Sequence, residues 1–392
     1  MTDDDLLRRV RRRLAADPAE VTPAGIAAAV RAECGGRPID GGVAVLERLQ
    51  DDLLGAGPLA PLLRDASVTD VLVNAPDEVW VDRGAGLERV PATFADDAAV
   101  RSLVNRLLLP SGRRLDAAAP WVDARLPDGT RLHAVLAPVA TRGTCVSLRT
   151  LARQRFTLDD LAARRSVTPG VAEVLRAAVQ ARLALLVSGG TGTGKTTTLA
   201  CLLGLVPPGE RVVVVEDAAE LRPGCPHLVT LEARPPNVDG AGEITMRDLV
   251  RQAMRMRPDR LVVGEVRGAE VVEMLAALNT GHEGGMSTVH ANTAAAVPTR
   301  LEALGATAGL HRLALHAQFA AALDLVVHLR READGIRRVA ELAVVERSPD
   351  GTVRVEPALV ATPDGEEQRR VGWPRLARLL ADRGESVAGT AA

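Results

Sequence analysis

Eight consecutive residues, Gly189-Gly190-Thr191-Gly192-Thr193-Gly194-Lys195-Thr196, fit the spacing G-x-x-x-x-G-K-[ST]. Glycines at these positions let backbone N–H groups turn inward around a phosphate chain without interference from Cβ. Lys195 brings a compact charge to β- and γ-phosphates, and Thr196 a hydroxyl for Mg²⁺. Of the 48 basic residues only Lys195 is lysine; the other 47 are arginine. A planar guanidinium matches such a loop less well than a point ammonium, so the lone lysine strengthens the reading of an ATP or GTP site.

Hydrolysis further needs carboxylates, one for the metal or its water shell and one to orient or deprotonate the attacking water. Glu216 and Asp217 follow the apolar run 212–215, and Glu265 follows 261–264, so both sites are expected at the C-terminal ends of buried strands, where α/β sheets place ligands. A third cluster, residues 281–290, sets His282 and His290 eight apart around a Gly-rich turn that leads into a strand. A neutral imidazole there can meet a γ-phosphate or a carboxylate and respond to its loss.

These groups require a scaffold of a particular kind. Residues 183–188 read as a strand into the Gly-rich loop, and a helix follows through Leu203, which aims its N-terminal dipole at the phosphates. From Pro169 onward strands alternate with helices, with continuous apolar runs at 184–187, 212–215 and 261–263, as in a mainly parallel sheet covered on both faces. Upstream, residues 1–66 read as helical, with Leu6, Leu7, Val10 and Leu14 on one face among Arg8, Arg9, Arg11, Arg12 and Arg13, and a further helix over 43–54. Residues 67–150 read as a small α+β domain with a hairpin turn at Pro127-Asp128-Gly129 and a helix over 96–109. Residues 151–168 are expected to be a linker, 169–346 the nucleotide-binding domain, and 347–392, rich in Pro, Gly and charge, a frayed tail.

The 392 residues suffice for two or three domains, and 47% hydrophobic with 25% charged residues is ordinary globular composition. A net charge of -2 and only six aromatic residues offer neither a broad basic groove nor a stacking platform, so direct nucleic-acid binding is not expected. Neither a signal peptide nor a membrane-spanning run is read in the sequence, and four scattered cysteines fit a reducing cytoplasm.

Four segments in order resemble the type II/IV secretion ATPases, and within them the CpaF/TadA branch of Flp-type (Tad) pilus assembly. Residues 189–197 (GGTGTGKTT) resemble the family's Walker A, 215–221 (VEDAAEL) its Asp box, 255–268 (RMRPDRLVVGEVRG) its Walker B and 281–293 (GHEGGMSTVHANT) its His box. The likeness extends upstream through 55–63, 68–74, 122–131 and 147–149, and covers roughly 45–345. It implies an α/β fold with a RecA-like P-loop NTPase core, a smaller α+β N-terminal domain and a helical N-terminal extension.

The resemblance also implies roles. Gly189, Gly190, Thr191, Gly192, Thr193, Gly194, Lys195, Thr196 and Thr197 would bind ATP. Thr196, Glu216 and Glu265 would serve Mg²⁺ and water, and His282 and His290 would line the γ-phosphate side. Arg125, Arg131 and Arg149, and with them Arg255, Arg257 and Arg267, are candidates for stabilising charge, some from a neighbouring subunit. The expected assembly is a homo-hexamer, cytoplasmic and peripheral at the inner face of the cell membrane, where it engages a pilus or secretion platform protein. A conjugation-associated or DNA-handling RecA-like ATPase is the alternative.

Overall fold

The computed structural model describes residues 3–16, 22–34, 42–84, 86–150, 155–236 and 240–387. It divides into two compact units, Met1–Gln154 and Arg155–Ala392.

In the first unit, α1 (Asp3–Ala16), α2 (Pro23–Glu33) and α3 (Gly42–Leu53) close a small core of Leu6, Val10, Leu14, Ile26, Val45 and Leu49. The apolar stripe of α1 is thus buried at Leu6, Val10 and Leu14, while Arg8, Arg9, Arg12 and Arg13 remain exposed. After the short α4 (Ala60–Arg64), six antiparallel strands form one sheet: β1 (Asp70–Ala75), β2 (Glu78–Asp82), β3 (Leu87–Val90), β4 (Trp121–Arg125), β5 (Arg131–Val135) and β6 (Cys145–Arg149). Their order is β3-β2-β1-β6-β5-β4. Alternation puts Val71, Val73, Leu132, Ala134, Val146 and Leu148 into a core shared with Val100, Leu103 and Val104 of α5 (Asp97–Leu108). The β4–β5 turn is set by Asp128, whose carboxylate accepts from Thr130 N at 2.9 Å, and by Gly129 at φ 90°.

The second unit begins inside the expected linker. Residues 151–154 lie outside the described residues, but α6 (Leu158–Ala163) is opened by a reciprocal Thr157–Asp160 capping box and buries Leu158 and Leu161 in the main core. The elements that follow are α7 (Pro169–Gln180), β7 (Leu185–Gly189), α8 (Lys195–Leu203), β8 (Val212–Glu216), β9 (Leu228–Glu232), α9 (Met246–Ala253), β10 (Arg260–Val266), α10 (Val271–Leu278), β11 (Met286–His290), α11 (Val297–Thr307), α12 (Arg312–Ala322) and β12 (Leu325–Arg331). Strands β9-β8-β10-β11-β7-β12 run parallel, and core residues alternate between the two faces: Val212 and Val214 pack on one side, Val213 and Val215 on the other.

The expectation of a frayed tail from 347 is corrected. β13 (Arg337–Arg347), β14 (Val353–Ala361) and β15 (Glu367–Arg369) extend the same sheet antiparallel beyond β12, and α13 (Trp373–Ala381) buries Leu376 and Leu380 against it. The charged and Gly/Pro residues that suggested a tail sit at turns and outward positions, with buried Val353, Val355 and Leu359 among them. Residues 388–392 lie outside the described residues.

Candidate nucleotide site

Parallel pairing brings the C-terminal ends of β8, β10, β11 and β7 to one edge of the sheet. His290 is in register with Gly189, and Val263 with Val215, so Gly189, Glu216, Glu265 and His290 all fall at that edge. β7 is buried throughout and runs into the Gly-rich loop, which hands over to α8 at Gly194, φ 94°. A Cβ on Gly189 would lie 2.6 Å from Thr193 Oγ1 and 2.7 Å from the Leu329 carbonyl, so the loop can lie this close to β12 only with glycine there. Thr191 and Gly192 are exposed at the tip; Thr193 Oγ1 donates to the Gly190 carbonyl at 2.9 Å, and Thr196 and Thr197 are half-buried on the first turn of α8.

Lys195 is only 7% exposed and folds back on the loop: Nζ donates to the carbonyls of Gly190 (2.9 Å) and Gly189 (3.2 Å). Burial pulls its pKa below the usual lysine value, against an opposing pull from the nearby Glu265 carboxylate. The same Nζ lies 3.3 Å from His290 Nδ1, and His290 Nε2 lies 2.7 Å from Glu265 Oε1, out of line for a ring N–H bond. Burial first, and the Lys195 charge second, lower the His290 pKa against an opposing pull from Glu265, which favours the neutral ring. Arg267 Nη2 donates to Glu265 Oε2 at 2.7 Å. Arg267 thus meets the carboxylate of Glu265 within the same chain.

Glu216 is 4% exposed, and its Oε1 accepts from the N–H groups of Glu220 (2.9 Å) and Leu221 (3.0 Å), which fixes the turn after β8. Its Oε2 is buried without a hydrogen-bond partner, and burial raises the carboxyl pKa despite those two donors. An orphaned buried oxygen beside a phosphate loop fits a site completed by a metal-bound water or a metal. Gly264 is what admits this side chain, because a Cβ there would sit 2.7 Å from Glu216 Cγ. Gly264→Ala is expected to destabilise the second unit by about 1–3 kcal/mol through overpacking. Urea unfolding checks this, and an unchanged midpoint would mean that Glu216 has room to move aside.

Several sequence candidates are placed elsewhere. His282 precedes β11 and its Nδ1 lies 3.0 Å from the Ala277 carbonyl near the end of α10, at the sheet edge opposite the phosphate loop. Within this chain the two histidines expected to line the γ-phosphate side lie at opposite ends of β11, and only His290 reaches the Gly-rich loop. Arg255 and Arg257 precede β10, at that same opposite edge. Arg125, Arg131 and Arg149 belong to the first unit, where they form a row: Arg125 pairs with Arg131 across β4–β5, Arg131 with Arg149 across β5–β6, and Arg149 Nε donates to Asp70 Oδ1 at 3.1 Å. Sequence reasoning also missed a cavity of about 270 Å³ beside the loop, lined by Phe156, Arg164, Gly194, Thr197, Ile336 and Arg337. Its walls come from the segment expected to be a linker (Phe156, Arg164), from the end of the Gly-rich loop and the start of α8 (Gly194, Thr197), and from the turn into β13 (Ile336, Arg337).

A parallel sheet whose middle strand feeds a glycine-rich loop and helix, with acidic groups at neighbouring strand ends, defines a RecA-like P-loop NTPase. The profile of the type II/IV secretion system proteins matches residues 52–369. A putative conjugal transfer protein of Mycobacterium tuberculosis is 58% identical over 318 residues, covering 80% of this chain and 90% of that protein. Conjugal transfer protein TrbB of Rhizobium radiobacter is 31% identical over 306 residues, covering 77% of this chain and 90% of its own length. Among solved structures, the pilus retraction motor PilT with bound ADP is similar in fold (TM-score 0.53, 17% identity, 85% of this chain and 90% of that one). The chain belongs to the type II/IV secretion system family. Among the described residues no helix is long and apolar enough to cross a membrane.

Proposed function

We propose that the protein is a Mg²⁺-dependent ATP-hydrolysing motor, hexameric, that drives a membrane-bound pilus or secretion platform, with the Tad/Flp assembly branch suggested by its motifs. The observation that carries this reading is the convergence of Lys195, His290 and Glu265 beside the phosphate loop, with Lys195 Nζ 3.3 Å from His290 Nδ1 and His290 Nε2 2.7 Å from Glu265 Oε1. Thr196 and the free oxygen of Glu216 fit a Mg²⁺ site, directly or through water, and the ion would neutralise charge on the transferring phosphoryl group. Lys195 leaves its loop carbonyls for the phosphates. Glu265 orients the attacking water once Arg267 releases one oxygen, and neutral His290 reports on the γ-phosphate to the end of β11. The row Arg125–Arg131–Arg149 is suited to a phosphate of an adjoining subunit.

A second reading, transport linked to conjugation, is favoured by the names of the two relatives above, both conjugal transfer proteins. Under either reading the motor works from the cytoplasmic face and touches protein rather than DNA, in keeping with a net charge of -2. Light scattering with ATP and Mg²⁺ is expected to give a ring of six; a monomer at every concentration overturns the motor reading. Capture of the Lys195→Ala protein with its membrane partner then separates pilus from conjugation machinery, and salt-dependent DNA binding by the purified protein would favour the DNA-handling alternative.

A further inference from the structure

Ser188, His328 and Asn292 lie 36 to 140 positions apart in the chain; Ser188 and His328 lie outside the four motif segments, and Asn292 is the next-to-last residue of the segment 281–293. Ser188 is the residue before Gly189, and it pairs in register with His328 on the neighbouring strand β12. Its Oγ lies 2.9 Å from His328 Nδ1, with the serine fully buried and the histidine 5% exposed. The imidazole also lies near the Asn292 backbone, which raises its pKa against the larger lowering by burial, the sense expected of a nearby carbonyl.

A neutral ring has one N–H and one acceptor nitrogen. If the N–H, on Nε2, goes to the Asn292 carbonyl, Nδ1 is left to accept from the Ser188 hydroxyl. Asn292 is two residues beyond His290, on the chain leaving β11, and β11 and β12 flank β7 on opposite sides. The ring therefore spans the root of the phosphate loop, from β12 across the end of β7 to the segment that carries His290. The crossing is tight, since the Leu329 carbonyl next to His328 would stand 2.7 Å from a Cβ on Gly189.

We propose that His328 is a positioning residue for hydrolysis: by tying Ser188 to the Asn292 carbonyl it holds His290 against Lys195 and Glu265 while leaving the phosphate-binding groups untouched. This rests on the reading of the site as an ATPase, but its geometric half does not need turnover. The amide nitrogen of glutamine falls where Nε2 sits, whereas the amide oxygen of asparagine falls where Nδ1 sits, so the two isosteres keep opposite halves of the tie.

Hydrogen exchange on the nucleotide-free full chain tests the geometry. Peptides spanning 290–296 are expected to exchange roughly tenfold faster in His328→Asn, as for a hydrogen bond near the upper end of its net worth, and faster by a smaller factor in His328→Gln, which loses only the Ser188 half. Ser188→Ala, which removes only a hydroxyl, is expected to loosen the same peptides and serves if a histidine variant does not fold. Unchanged exchange in His328→Asn and Ser188→Ala overturns the proposal whatever the activity. With ATP, His328→Asn is expected to lower kcat about 10-fold to 10²-fold with little change in nucleotide affinity, and His328→Gln to recover most of it. Equal losses of kcat, affinity and melting temperature in both isosteres would mean a packing role only and would also overturn it. A wild-type protein that does not hydrolyse ATP, with the exchange pattern intact, would instead count against the ATPase reading alone.

Discussion

Lys195→Ala is expected to abolish both nucleotide binding and turnover while leaving the fold in place. Nζ bonds to the carbonyls of its own loop and touches His290, so its removal deletes no buried ion pair of the kind whose loss unfolds a domain. The lysine is instead a cation held at a cost: burial lowers its pKa, which means the protonated form is disfavoured until an anion arrives. A triphosphate supplies that anion, and its binding should therefore stabilise the second unit strongly. At a hundred times Kd the linkage is worth about 2.7 kcal/mol. For a domain of this size that corresponds to a rise of roughly 5–10 °C in melting temperature. In Lys195→Ala the shift is expected to vanish, with hydrolysis lower by at least about 10²–10³-fold, as for the loss of one strong charge-stabilising group. Differential scanning fluorimetry with and without ATP, together with phosphate release, reads both. An undiminished shift in the variant would mean that the loop does not grip a phosphate through this residue.

Why the lysine could be found from the sequence, and His328 could not, is a matter of range. The loop, its strand and its helix are contiguous, so residue types and spacing alone carry them, and the strand-end positions of Glu216 and Glu265 follow from apolar runs of four and three residues whose register the parallel sheet then supplies. The Ser188–His328 contact joins residues 140 apart, and nothing local to either one marks it. The two histidines of the 281–290 cluster show the opposite failure: eight residues look close in the chain, but an extended strand of five lies between them and carries them to opposite edges of the sheet. The arginine row was legible as three residues but not as a row, because alignment of Arg125, Arg131 and Arg149 depends on the pairing of three separate strands. The C-terminal strands were misread on composition. Glu367 and Arg369 are exposed on the last edge strand, β15, where charge discourages further pairing, and the same charge made the segment look unstructured.

The two carboxylates of the site are distinguished by their surroundings, and Glu265→Gln should separate them. Glu265 is partly exposed, beside Lys195 and His290, and bonded through one oxygen to Arg267. Glu216 is buried, already pushed toward its neutral form, and spends one oxygen on the turn that follows β8. Substituting glutamine for Glu265 removes a negative charge from beside the phosphates without altering the loop, so ATP affinity is expected to hold or rise, while kcat falls about 10²–10⁴-fold, the range for a lost general base. The same substitution at Glu216 keeps an amide oxygen for the Glu220 and Leu221 donors and mimics the protonated state that burial favours. Its loss of kcat is therefore expected to be smaller and accompanied by a higher Mg²⁺ requirement, since a neutral amide is a poorer partner for the ion or its waters. Single-turnover hydrolysis and nucleotide binding, measured across a Mg²⁺ titration, read all three quantities. Equal kcat in wild type and Glu265→Gln removes Glu265 from the chemistry, and a larger loss at Glu216 would hand the water-orienting role to the buried carboxylate and leave Glu265 as the anchor for Arg267.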